Sequence, residues 1–91
     1  MAEARREVLI VNQRGLHARA SAKFVSAVAA MAGCEVSVSR DGYHASGESI
    51  LGLMMLGAAK GDTVEIAVKG QQAEERLAEL TEMVENGFGE E

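Results

Sequence analysis

Glu35-Val36-Ser37-Val38-Ser39-Arg40-Asp41-Gly42-Tyr43-His44-Ala45-Ser46 decides the fold. Its first half alternates strictly. Val36 and Val38 point one way, and Glu35, Ser37 and Ser39 point the other, which is the period of a strand with one face in a core and one in water. Asp41-Gly42 then reads as a two-residue hairpin turn of the primed type, and Tyr43 to Ser46 is the returning strand. A sheet with one polar face is antiparallel and covered on one side only. Helices must supply the cover.

Upstream, the β-branched run Val8-Leu9-Ile10-Val11 is bounded by Asn12-Gln13-Arg14-Gly15 and predicts a strand over 6–12. A helix follows from about Ala18 to Met31, with Ala20, Phe24, Val28 and Met31 (and Ala27) on one apolar face. Ala32-Gly33 closes it, Gly33 serving as the left-handed residue just past the helix end. Downstream, Ser49 reads as the N-cap of a short helix, Ile50 to Leu56, stopped near Gly57. Lys60-Gly61-Asp62 turns the chain into a fourth strand over 63–69, with Val64, Ile66 and Val68 inward. A last helix spans 71–85 with Ala73, Leu77, Leu80 and Val84 on its core side, and Asn86-Gly87 ends it. The final four residues are expected to fray. The order is β-α-β-β-α-β-α. It predicts an α+β, two-layer open-faced sandwich in which a four-stranded antiparallel sheet carries three helices on one face. Residues 1–91 read as one domain, without linker or repeat.

Composition narrows the functions open to such a chain. The formal net charge is −5 and the sequence pI about 5.0, which argues against a nucleic-acid partner. The longest mainly apolar run, Ile50 to Ala59, contains two glycines and is too short for membrane insertion. The first seven residues have no apolar core of a signal peptide. Cys34 stands alone, so no intrachain disulfide forms, and a reducing cytoplasm fits. One Cys and two His do not make a metal site, and no phosphate-cradling or dinucleotide loop implies a cofactor.

Chemistry concentrates in Gly15-Leu16-His17-Ala18-Arg19-Ala20-Ser21. His17 falls at the N-cap of the first helix, with Ala18 and Arg19 in its first turn. The first N–H groups of a helix have no partner within it, and the helix dipole adds positive potential there. Arg19 adds a full charge and Arg14 a second cation nearby. Such surroundings disfavour the charged imidazole and leave a solvent-facing ring with a free lone pair, a nucleophile. A phosphoryl group acquired by that ring would land beside N–H donors and a guanidinium fork. The plain alternative is that His17 merely caps a helix. A second feature is Ile50-Leu51-Gly52-Leu53-Met54-Met55-Leu56, apolar almost all round. Leu53 and Leu56 suit the core, but Ile50, Leu51, Met54 and Met55 cannot all be buried beneath so short a helix. Either they dock partners or they fill a small core. His44 reads as a surface residue and Cys34 as a structural thiol.

Gly15-Leu16-His17-Ala18-Arg19 and Ser49-Ile50-Leu51-Gly52-Leu53-Met54-Met55-Leu56-Gly57 resemble the histidine and serine signatures of HPr, the phosphocarrier of the bacterial phosphoenolpyruvate-dependent phosphotransferase system. Element order and length match that family over nearly the whole chain. The resemblance implies a phosphocarrier rather than an enzyme. It implies that His17 takes a phosphoryl group on its Nδ1 (the pros nitrogen) from Enzyme I and passes it to a histidine of an EIIA protein or domain, in sugar uptake or nitrogen-related regulation. Arg19 matches the arginine beside the phosphohistidine, and the Ala18 and Arg19 backbone amides would hold phosphate. Ser49 matches the serine modified by an HPr kinase/phosphorylase in some bacteria. Ile50, Leu51 and Met54, with Ala20, match the surface that partners grip. A cytoplasmic monomer is implied. The family usually has proline where this chain has Ala20; alanine keeps the helix and leaves one more free N–H. The rival readings are a ferredoxin-like or ACT-like ligand-binding module and a serine-phosphorylated adaptor. Adaptors that resemble HPr lack the histidine that this chain retains at position 17.

Overall fold

The computed structural model describes residues 2–90. Its elements are β1 (Glu3–Leu9), α1 (Ala18–Ala29), β2 (Cys34–Arg40), β3 (Tyr43–Ser46), α2 (Ile50–Met55), β4 (Thr63–Gly70) and α3 (Ala73–Glu85), then a 3-10 turn, Gly87–Gly89. The hairpin forms as its sequence requires. Asp41 and Gly42 have φ of 51° and 86°, and two positive values in succession define the turn whose twist suits its strands.

The sheet order is β1-β4-β2-β3, with every neighbouring pair antiparallel. β1 and β2 therefore run parallel, with β4 inserted between them and α1 as the crossover. The register places Val8 opposite Val64, Val36 opposite Val68, and Val38 opposite both Ile66 and Ala45. These side chains share a face and meet Phe24, Val28, Leu53, Leu77, Leu80 and Val84 in one core. The helices cover that face; the other carries Arg5, Glu65 and Lys69. Arg5 pairs there with Glu3 and Glu65 at 2.9 and 3.1 Å, exposed contacts that contribute at most about 1 kcal/mol each.

Three boundaries differ from expectation by two residues or more. β1 begins at Glu3 and ends at Leu9, because Glu3, Arg5 and Glu7 lie along the open face while its backbone pairs with β4 from Lys69 to Thr63. α1 stops at Ala29 with Ala30 as C-cap, so Gly33 is not its terminating residue. Gly33, at φ 78°, instead shapes the turn into β2, where its carbonyl accepts the N–H of Gln71. α3 starts at Ala73, two residues late, since its N-cap Gln72 takes a left-handed φ of 56°. The expected fraying of the last four residues is also corrected. Phe88 is buried, and its carbonyl accepts a hydrogen bond from Lys23 Nζ at 2.8 Å. Glu91 lies outside the described residues. Among the described residues no helix is long and apolar enough to cross a membrane.

Candidate functional site

The chain leaving β1 is stitched down before it enters α1. Ile10 and the 61–62 turn exchange backbone hydrogen bonds at 2.8 Å, and Leu16 N–H donates to the Ala58 carbonyl at 3.0 Å. Gly15 sits in this stitch at φ 60°, where a Cβ would lie 2.3 Å from the Ala58 oxygen, so only glycine fits. Buried Asn12 closes the loop: its carbonyl accepts Gly15 N–H, and its Nδ2 donates to the Gly15 carbonyl at 2.8 Å. Buried Ser21 donates its hydroxyl to the Leu16 carbonyl. The loop is therefore shaped from both sides.

His17 follows as the N-cap of α1, in extended conformation (φ −75°, ψ −178°), and its ring makes no capping hydrogen bond. The first-turn amides of Ala18 and Arg19 are left uncapped by that side chain. Ala18 and Arg19 are exposed; so is Arg14, and among the described residues neither guanidinium pairs with a carboxylate. Ala20 does not belong to the exposed set. It is completely buried in the core, so the expectation that it touches partners is corrected.

The ring is not as open to solvent as its position suggested. The His17 side chain is 21% exposed because Glu90 covers it, with Oε2 at 2.7 Å from Nε2. The other carboxylate oxygen accepts from Asn12 Nδ2 at 3.0 Å. The surroundings expected from the sequence held cations alone; the structure adds this anion. Burial pushes the Glu90 carboxyl up. The hydrogen bonds from His17 and Asn12, with the charges of His17 and Arg19, outweigh it and hold the group below its ordinary value. Sequence reasoning missed Glu90 by expecting the last four residues to fray. The signal was Gly87-Phe88-Gly89: a large apolar residue between two glycines anchors a tight turn, and here all three have positive φ.

The second predicted feature lies on the short helix next door. Ser49 caps α2, its Oγ accepting Gly52 N–H at 2.9 Å. Leu53 and Leu56 are buried, whereas Ile50, Leu51, Met54 and Met55 are exposed, Leu51 at 67% and Met55 at 76%. α2 packs on α1 and β3. Arg40, not singled out from the sequence, donates to the Leu56 carbonyl at 3.1 Å and pairs with Asp62, a cation where the α2 dipole is negative. His44 is exposed and stays apart from these groups in the sheet, while Cys34 Sγ bonds the Gln71 carbonyl.

Fold and surface together define a small phosphocarrier. The family model described as "PTS HPr component phosphorylation site" matches residues 4–86. The phosphocarrier protein HPr of Pseudomonas aeruginosa is 44% identical over 85 residues, covering 92% of this chain and 93% of that protein. The phosphocarrier protein NPr of Shewanella violacea is 36% identical over 90 residues, covering 99% and 98%. The crystal structure of a phosphocarrier protein HPr from Bacillus anthracis superposes with a TM-score of 0.85 at 30% identity, covering 92% of this chain and 99% of that one. The chain belongs to the HPr family of phosphocarriers of the phosphotransferase system. That membership sets aside the ferredoxin-like or ACT-like ligand-binding reading.

Proposed function

We propose that His17 carries the phosphoryl group on Nδ1, receiving it from Enzyme I and delivering it to a histidine of an EIIA protein or domain. The observation that supports this most is an N-cap imidazole that leaves the first turn of its helix uncapped. An oxygen of a phosphoryl group on the ring can take the free Ala18 and Arg19 amides, and the exposed Arg19 guanidinium can close on another. In the acceptance step the Nδ1 lone pair forms the new N–P bond, and the donor's own bond to phosphorus breaks with its electron pair returning to the donor. In delivery the same exchange runs toward the acceptor. The protein is the intermediate, not a catalyst that turns over alone.

Partners dock on the exposed face of α2, through Ile50, Leu51 and Met54. Flexible apolar side chains suit a surface that serves unlike partners in turn. Ser49 lies at the rim of that face. A phosphate there, carrying about two negative charges, would oppose docking, which gives an HPr kinase/phosphorylase a point of control. A cytoplasmic monomer fits these roles. The onward acceptor defines the branch, sugar uptake or nitrogen-related regulation. Incubation with phosphoenolpyruvate and active Enzyme I tests the reading by mass spectrometry. The expected product is an acid-labile adduct of one phosphate, absent from His17→Ala. No adduct on the wild-type protein would reject the proposal.

A further inference from the structure

We infer that Glu90 is the positioning residue for His17: its carboxylate accepts the Nε2–H of the ring and so keeps the reacting lone pair on Nδ1. The inference rests on His17 as phosphoryl acceptor and adds how the ring is prepared for it.

The Nε2–Oε2 separation of 2.7 Å lies in the range of a charge-assisted hydrogen bond. A carboxylate can only accept, so the ring must donate from Nε2. In the neutral ring Nδ1 is then the nitrogen without a proton. The carboxylate is itself fixed. Oε1 accepts from Asn12 Nδ2 at 3.0 Å, and the second proton of that amide goes to the Gly15 carbonyl at 2.8 Å. Rotating the Asn12 amide would set its oxygen against two acceptors, so its orientation is determined by its partners. The segment that delivers Glu90 is held as well. Phe88 is buried at φ 59°, a conformation unfavourable for a bulky residue, and its carbonyl accepts from Lys23 Nζ. Glu90 N–H donates to the Gly87 carbonyl. Burying the Phe88 ring offsets the backbone strain, which is of order 1–3 kcal/mol.

The contact serves both half-reactions. During acceptance no proton of His17 moves. Nδ1 bonds phosphorus, Nε2 keeps its proton, and the ring becomes a cation facing the Glu90 anion. During delivery the N–P electron pair returns to Nδ1 and the ring leaves as neutral imidazole. Were the Nε2 proton lost, the leaving group would be an imidazolate, a far poorer one. The carboxylate stabilises the form in which that proton stays.

Two variants test this by nitrogen-15 NMR of the ring at fixed pH and by the rate of phosphoryl acceptance from Enzyme I. The wild-type ring should show a proton on Nε2, hydrogen-bonded and slow to exchange, and a bare Nδ1. Glu90→Ala should lose the slow exchange, place part of the proton population on Nδ1, and accept phosphoryl on the order of tenfold more slowly. Glu90→Gln keeps a neutral acceptor and should recover most of the ring signature with a loss of about threefold. Unchanged ring signals and rates in Glu90→Ala would overturn the inference. So would a wild-type ring carrying its proton on Nδ1. The ring signature is read on the unphosphorylated protein. A failure of His17 to accept phosphoryl would therefore be seen separately, as a missing adduct on the wild type.

Discussion

At the scale of single residues, Arg19 and His17 share one helix start, but Arg19 is open to water whereas Glu90 covers the His17 ring. Arg19 is exposed and, among the described residues, makes no ion pair at contact distance, acting on Glu90 only through its charge. Removing it should therefore leave stability within about 0.5 kcal/mol of wild type. It should slow phosphoryl transfer by roughly ten- to hundredfold, the worth of one charge-assisted hydrogen bond. Denaturant unfolding beside Enzyme I kinetics checks the pair; equal losses in both would contradict the assignment. The N-cap place of His17 was legible because its context is local: a strand end, a glycine, and an alanine-rich run. Glu90 was not. Its partner is 73 positions away in sequence and meets it because buried Phe88 anchors the turn that carries Glu90. Ala20 failed for a related reason. Its place in a first helical turn says nothing of which way the turn rolls, and here it rolls that methyl into the core.

At the scale of elements, α2 divides cleanly. Its inner side holds Leu53 and Leu56, and its outer side leaves Ile50, Leu51, Met54 and Met55 in water. Leu53→Ala should cost about 2–5 kcal/mol, because the site is completely buried and opens a cavity among three elements. Ser49 allows two roles to be separated. Ser49→Ala removes the oxygen that accepts Gly52 N–H and should cost about 1 kcal/mol in unfolding experiments. Ser49→Asp keeps an acceptor, and so most of the stability, but should weaken Enzyme I docking by placing charge beside the patch. Unaltered transfer kinetics in Ser49→Asp would argue against Ser49 as a point of control. Alternation in β2 and β4, and the Asp41-Gly42 turn ahead of β3, made those strands plain from sequence. β1 was misplaced by several residues since its charged half has no apolar period, and pairing with β4 alone defines it.

At the scale of the molecule, β4 enters between β1 and β2, so the sheet is completed late in the chain and no local pattern announces its order. The same long-range closure brings Glu90 onto Asn12 and His17 after β1, and Phe88 onto Lys23 of α1. This closure has a pH signature. Burial acts to raise the Glu90 carboxyl, yet its hydrogen bonds and neighbouring charges leave it below the ordinary 4.5. A carboxyl depressed in the folded state contributes stability that is present above its unfolded value and lost as pH falls through the folded one. Urea unfolding of wild type and Glu90→Gln across that acidic range should converge as pH falls. Parallel curves would mean that the contact does not persist in solution.

The most direct measurement locates the phosphoryl group on the ring. Protein labelled with nitrogen-15, phosphorylated through Enzyme I and phosphoenolpyruvate, should show the phosphorus coupled to Nδ1 of His17, with Nε2 still bearing its proton. Coupling to Nε2 of His17, or phosphate found on any other side chain under these conditions, would contradict the account.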